Sequence, residues 1–487
     1  VIMLMRMQMR QRKSLRTVLI SVMASWIVVT GCAPSSLVDV QSPSTVVDPS
    51  QVLTPSGASA LRTNALSYMM GAFGSGTSTS VIVMSGSLTD ELQDPYYSGS
   101  SGDDRNVLAT TVEGGRNNSG FGYDAIQQTR VSVRQALQAL QVYASNTPGV
   151  PRAWQGELYA LQGYTVVWLA ELYCSGIPLS ESSLTGSQTP SRGLSTQELL
   201  ARAIAYFDSA MVAGADSAQF VDLARVGKGR ALLDLGEFEA ADSAVRDVPT
   251  NFVYRLVSGT SGFIVPFDFP NDVASGVQRV QDHEGGNGLV WSTDPRTAVV
   301  TVPDLTGPML WPSKYNLDPA TGTPTPTTGG YGVTIRMADG LEARLIQAEA
   351  ALKRGDAGWL DTLNMLRATC VGTASCAPRL GLAAGSLPPL ADPGSPTRLD
   401  TLMKERAMWL YLTGHREGDL RRMARAYGRN PLTLWPTGVI SQPAYPDQFP
   451  NPGSENGTRY GNDTVYGPDV NEHLRNPLYG GCSDTNP

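Results

Sequence analysis

The sequence predicts a mostly α-helical protein in which paired helices form a rigid scaffold and a large loop-rich insertion supplies a separate face. Three observations carry that expectation. Apolar residues recur at three- and four-residue spacing through residues 123–173 and 196–248, the pattern of helices with a buried stripe. A second helix pair, Leu341–Arg367, follows only after about 90 residues of loop and short strand. The 487-residue chain also carries 50 Gly and 33 Pro, which helices do not absorb and which imply long ordered loops.

The N-terminus reads as an export signal. Arg6, Arg10, Arg12, Lys13 and Arg16 precede an apolar run, Val18 to Val29, and no acid occurs before Gly31. That run is too short to span a bilayer comfortably. It ends at Val29-Thr30-Gly31-Cys32, which resembles a bacterial lipobox. The resemblance implies a signal peptide over 1–31, acylation of Cys32 and a lipid anchor with its tether over 32–56. Ala33, not Asp, follows the Cys, so nothing argues for inner-membrane retention.

Residues 57–487 are expected to form one domain. Its helical scaffold covers about 123–248 and 335–428, and its loop-rich parts cover about 74–122, 250–334 and 430–487. A helix is expected near Gly57–Phe73, followed by a Ser/Thr-rich, strand-like run. In the helix Arg152–Tyr173, Leu158, Leu161, Thr165, Trp168 and Leu172 make one apolar face, and Gly176 before Pro178 ends the pattern. Helices are also read over Tyr123–Ala144, Thr196–Ala213, Ala224–Leu235 and Glu237–Val245. In the last two, Gly229, Leu232, Gly236, Phe238, Ala241 and Val245 fall close to tetratricopeptide spacing. Small residues at Gly229 and Ala241 would let two helices approach closely. The later pair, Leu341–Lys353 and Leu360–Arg367, turns at Gly355-Asp356.

The most informative segment is Glu405-Arg406-Ala407-Met408-Trp409-Leu410-Tyr411-Leu412-Thr413-Gly414-His415-Arg416-Glu417-Gly418-Asp419-Leu420-Arg421-Arg422. It puts an acid–base pair on a helix, stops at a Gly and restarts with charged residues. This order resembles the signature of the SusD/RagB family of outer-membrane nutrient-binding lipoproteins. The second acid usual in that helix is absent, Tyr411 and Leu412 standing there. Ala348-Glu349-Ala350, Gly355-Asp356 and Leu363-Asn364-Met365-Leu366-Arg367 resemble a further family motif, as do the end of the Arg152–Tyr173 helix and Leu37–Pro43. The resemblance implies a SusD-like fold and a surface-exposed lipoprotein. It would capture a glycan or other oligomeric nutrient and pass it to a TonB-dependent SusC-like transporter. Catalysis and cofactors are not expected. In this reading Glu405, Arg406, Gly414, His415, Arg416, Asp419 and Arg421 staple the scaffold, since an Arg fork can grip a carboxylate across two helices.

Composition and motifs exclude several other classes. The net charge is −7 and becomes more acidic beyond the basic N-terminus, which disfavours nucleic acid. His283, His415 and His473 are isolated, and no zinc helix, nucleophile elbow or P-loop occurs. Cys370 and Cys376 share a short loop able to close locally, leaving Cys174 and Cys482 as the other pair; no Cys-x-x-Cys suggests a metal. Aromatic rings pack on the C–H faces of sugars while carboxylates, amides and Arg bond the hydroxyls. The loop beginning Asp90-Glu91 and containing Asp94, Tyr96, Tyr97 and Arg105 has that composition. Trp291 and Trp311 are the aromatic candidates in the insertion, although Trp311–Tyr315 reads better as a packed core segment. Two rival readings remain. A tetratricopeptide lipoprotein for outer-membrane assembly predicts contiguous repeats. A lipid-anchored glycoside hydrolase predicts paired acids and alternating strands and helices.

Overall fold

A computed structural model describes residues 54–74, 79–93, 105, 107–108, 122–143, 149–184, 186–257, 279–280, 282, 288–297, 299–304, 307–312, 334–369, 387–438, 460–469 and 471–487. They belong to one compact unit, Val52–Pro487. The expected signal peptide, Cys32 and the Cys370/Cys376 loop lie outside the described residues.

The helices begin with α1 (Pro55–Gly74) and α2 (Val81–Leu88), followed by α3 (Tyr123–Val142) and α4 (Ala153–Leu172). Four two-residue strands come next, β1 (Ile177–Pro178), β2 (Glu181–Ser182), β3 (Gln188–Thr189) and β4 (Gly193–Leu194); β1 pairs with β4 and β2 with β3, both antiparallel. Then follow α5 (Thr196–Ala213), α6 (Ala218–Asp234) and α7 (Phe238–Val245). Ser195 and Glu198 close a reciprocal capping box at the start of α5, which satisfies amide donors that a helix start leaves open.

Two positions differ from expectation. The run read as strand-like contains α2, all of it buried and capped by Ser80. A short β-branched apolar run does not distinguish strand from buried helix, and packing decides it. Helix α4 is buried from Gln155 to Leu172 except at Tyr159, not along one face alone. It is the central rod of the protein, with α2, α3, α5, α6 and a later helix around it.

The insertion leaves and returns through one ladder. Strand β5 (Val253–Val257) pairs antiparallel with β8 (Thr334–Asp339), while β6 (Val299–Asp304) and β7 (Gly307–Pro312) form their own hairpin between them. The β5–β8 pairing brings α8 (Gly340–Arg354) directly against α6 and α7, and α9 (Gly358–Thr369) packs on α8. The two helix pairs are therefore interrupted in sequence but adjacent in space. Gly229 shows the fit: a Cβ there would lie 2.4 Å from Val245 Cγ1 and 3.3 Å from Ile346 Cδ1. Asp339 caps α8 by accepting from the Glu342 amide.

The chain ends with α10 (Arg398–Leu410), α11 (Arg416–Tyr427) and, within mostly irregular structure, the single turn α12 (Glu472–Arg475). A Cys174–Cys482 disulfide fixes this C-terminal segment to the end of α4, flanked by backbone bridges Tyr173–Tyr466 and Ser175–Asp484.

Candidate functional site

The junction between α10 and α11 is a buried ionic centre. The chain turns there through left-handed backbone at Leu412 (φ 50) and Gly414 (φ 68). At Gly414 a side chain would meet both that conformation and Val81 Cγ1 at 2.9 Å, so glycine is required. The turn aims Gly414 O at Arg230, whose Nη2 donates to it at 2.6 Å. Arg230 also grips Glu171 bidentately at 2.6 and 2.5 Å. His415 sits beside them, Nε2 3.0 Å from Arg230 Nη1 and 2.9 Å from Glu342, Nδ1 2.9 Å from Thr413 O. Burial, and next the Arg230 cation, push the imidazole pKa down against the pull of Glu342. At neutral pH that favours an uncharged ring, with Nε2 able to accept from Arg230.

The remaining motif residues point to different elements. Glu405 accepts from Arg296 at 2.7 and 3.2 Å and from Arg367 at 2.6 Å, tying α10 to the insertion and α9. One position on, Arg406 donates to Asp419 at 2.8 and 3.2 Å. Arg422 holds Glu349 of α8 at 2.7 and 2.9 Å and Asp234 of α6 at 2.8 Å. Burial raises the Asp419 pKa, but Arg406 and Arg422 outweigh it and keep the carboxylate ionised well below its usual range. Arg416 closes a bidentate pair with Asp90 at 2.7 and 3.0 Å. Arg421 donates to the carbonyls of Ala170 and Glu171, both at 2.6 Å, satisfying oxygens that the C-terminal end of α4 leaves without a helical partner. These groups are buried, apart from the half-buried Asp234. Such pairs add little net stability over an apolar core, but each is costly to break singly and fixes one register of the helices.

The ligand candidates divide into three groups. Asp94, Tyr96 and Tyr97 lie outside the described residues, and of Trp311 only the backbone, in β7, is described. Arg105 and Trp291 are buried and do not face solvent as a ligand contact must. Arg105, 1% exposed, donates to Asp463 O at 2.9 Å and Pro436 O at 2.5 Å. Burial pushes its pKa down to about 10. Trp291 has no exposure; its ring packs on Tyr411 with centroids 4.9 Å apart, and the Arg416 guanidinium lies 5.9 Å from it. Both are packing residues here, which replaces the ligand role read from composition. Asp90 and Glu91, read as part of the sugar-binding loop, are likewise interior: Glu91 accepts from the Leu412 amide at 3.0 Å. Sequence reasoning missed Glu171, Arg230, Arg296 and Glu342 as members of the centre. Glu171 did leave a signal, an acid between Ala170 and Leu172 in an otherwise apolar stretch.

Two loop-rich segments meet at Gln93 and Arg279. Gln93 and Arg279 exchange backbone hydrogen bonds at 2.9 and 2.8 Å, and Arg279 Nε donates to Gln93 Oε1 at 2.8 Å. An open cavity of 350 Å³ lies nearby, lined by Leu289, Met403, Lys404, Arg416 and Met423. Among the described residues, no group of three or more His, Cys, Asp or Glu side chains could hold a metal ion.

No protein-family model and no curated protein matches the sequence. Solved structures do. The chain is similar to surface glycan-binding protein A from Bacteroides uniformis, at 13% identity and TM-score 0.57, over 88% of this chain and 99% of that one. It is similar to a SusD-like carbohydrate-binding protein from Bacteroides fragilis, at 14% identity and TM-score 0.56 over the same shares. A SusD/RagB family protein from Bacteroides thetaiotaomicron aligns at 14% identity and TM-score 0.54, over 90% of this chain and 98% of that one. At such identities the likeness speaks for architecture, and it runs over nearly the whole of each relative. The chain has the SusD-like fold.

Proposed function

We propose that this protein is a glycan-capturing binding subunit of the SusD/RagB family. The observation that carries the reading is the match over 99% of a surface glycan-binding protein, with the Glu405–Arg422 motif at the buried centre of the fold. Capture, retention and release need no chemical step. In this reading Cys32 is acylated, and the tether over 32–56 holds the domain on the outer surface of the outer membrane. The domain closes as a lid on a TonB-dependent SusC-like transporter. One of Tyr96 and Tyr97 supplies a ring and Asp94 a carboxylate to the ligand, while the other Tyr anchors their loop.

The rival readings stand differently after the fold is known. Adjacent stacking of α6–α7 and α8–α9 removes the argument that interrupted repeats oppose an assembly lipoprotein. The likeness to named glycan-binding structures favours capture instead. The helical array is not the alternating strand–helix or sandwich pattern that the hydrolase reading predicted.

The proposal is tested by isolating the tagged full chain from the membranes of its own host in mild detergent. A TonB-dependent β-barrel should co-purify in near-equal amount, and Cys32→Ser should move the chain to the soluble fraction. Co-purification with periplasmic assembly proteins in place of such a barrel contradicts the transport role. Unchanged membrane partition of Cys32→Ser contradicts the anchor.

A further inference from the structure

A second surface feature stands apart from the ionic centre. An open groove of 650 Å³ runs between α3, the β1–β4 hairpins and α12, within the roughly 300–1,000 Å³ of small-ligand clefts. Its walls are fixed from three directions. Gln127 Nε2 donates to Tyr123 Oη at 3.0 Å and to Pro178 O at 2.8 Å. Arg130, buried, donates to Gln127 Oε1 at 2.8 Å and to Ser180 O. Asn476 Nδ2 reaches Ser191 O at 2.8 Å, joining the C-terminal segment to the hairpin. A groove braced in this way loses little order when it binds.

The lining selects a ligand class. Amides and hydroxyls dominate: Asn64, Gln128, Gln135, Gln188, Ser132 and Ser182 all contribute. They offer donors and acceptors together, which suits hydroxyl groups that both give and accept. The cations of the wall are already committed, Arg130 to the contacts above and Arg475 to Asp124 at 3.5 Å and Asp469 at 3.0 Å. Asp124, Glu181 and Glu472 also face this region, so a polyanion is disfavoured. Tyr68, half-buried on α1, is the aromatic platform; its hydroxyl accepts from Gln128 at 3.2 Å. The residues predicted from sequence whose side chains are described, Arg105 and Trp291, are not in these walls.

We propose that this groove is a separate binding site for a neutral oligosaccharide, held by the amides of Gln128 and Gln188 against the ring of Tyr68. The inference rests on the capture reading and adds to it a place and a ligand class.

The test uses the full chain in detergent on a printed array of neutral and uronic-acid oligosaccharides. The strongest neutral binder is then used as the probe in hydrogen-exchange mass spectrometry. Protection of residues 123–135 and 177–191 is expected. The double variant Gln128→Ala/Gln188→Ala, altering two exposed side chains, should lose that protection and bind at least tenfold more weakly with unchanged melting. Binding without protection of these segments overturns the groove and leaves capture standing. Groove protection by uronic-acid oligomers in preference to neutral ones overturns the ligand class. An array with no binder overturns the capture reading and the groove with it.

Discussion

Arg416 shows how the motif works at the scale of one residue. Its side chain is 4% exposed, and its guanidinium bonds both oxygens of Asp90 and lies over the Trp291 ring. One side chain thus joins α11, the segment after α2 and the insertion. Removing it takes the bidentate cation from the buried Asp90 carboxylate, so Arg416→Ala should cost about 3–5 kcal/mol. Adding Asp90→Ala should restore part of that loss in a double-mutant cycle on chemical denaturation. Strictly additive losses would show that the pair does not act as a unit. Glu417 carries a different consequence. Burial pushes its carboxyl up to about 8, against Arg421 and the Trp435 N–H, which donates to it at 2.9 Å. An unfolded Glu titrates near about 4.3. Between those values the native state keeps a proton that the unfolded chain has released, so stability falls as pH rises through the window and levels off above it. Glu417→Gln removes this titration and keeps an acceptor for Trp435. Its stability advantage over the parent should grow by about 1.4 kcal/mol per pH unit inside the window. Parallel stability curves between pH 5 and 8.5 would contradict the assignment.

At the scale of elements, the helices were legible because their apolar spacing is long and regular. Residues 196–213 were read to the residue, and α1, α3, α4, α8 and α9 within a few positions. What spacing did not reveal was which helix is central. Pattern reading gave α4 one apolar face, whereas Gly156, Gly163 and Gly227 let neighbours approach so closely that almost all of it is buried. The Phe207 ring of α5 occupies the slot between Gly163 and Gly227; a Cβ at Gly227 would lie 2.4 Å from the ring and 2.9 Å from Tyr164. Gly227→Ala should therefore cost about 1–3 kcal/mol by overpacking, and Phe207→Leu in the same chain should recover part of it. Equal melting of Gly227→Ala and the parent would mean the helices yield without strain. The site was less legible than the scaffold. Charged residues near one another in sequence, such as Glu405 and Arg406, turn to different partners, while Asp90 and Arg416 meet across the whole chain. Composition alone assigned Asp90, Glu91, Arg105 and Trp291 to a ligand surface, since it cannot distinguish an acid or ring that bonds a ligand from one that bonds the core.

For the whole molecule, long-range closures decide the architecture. The β5–β8 ladder returns the insertion to its base and lets the second helix pair stack on the first. The Cys174–Cys482 bond closes 308 residues of sequence and holds the C-terminal segment that forms one wall of the groove. Cys482→Ser should destabilise the fold by about 2–4 kcal/mol, chiefly by releasing the unfolded chain. Reductant should lower parent melting toward that of the variant; a parent indifferent to reductant would show that the bond adds nothing. Capture of a glycan is the central claim, and equilibrium titration of the full chain with oligosaccharides is its most direct test. The account predicts saturable binding of at least one oligosaccharide class, with no cleavage of the bound chain. No binding of any oligosaccharide, or hydrolysis of one, would contradict it.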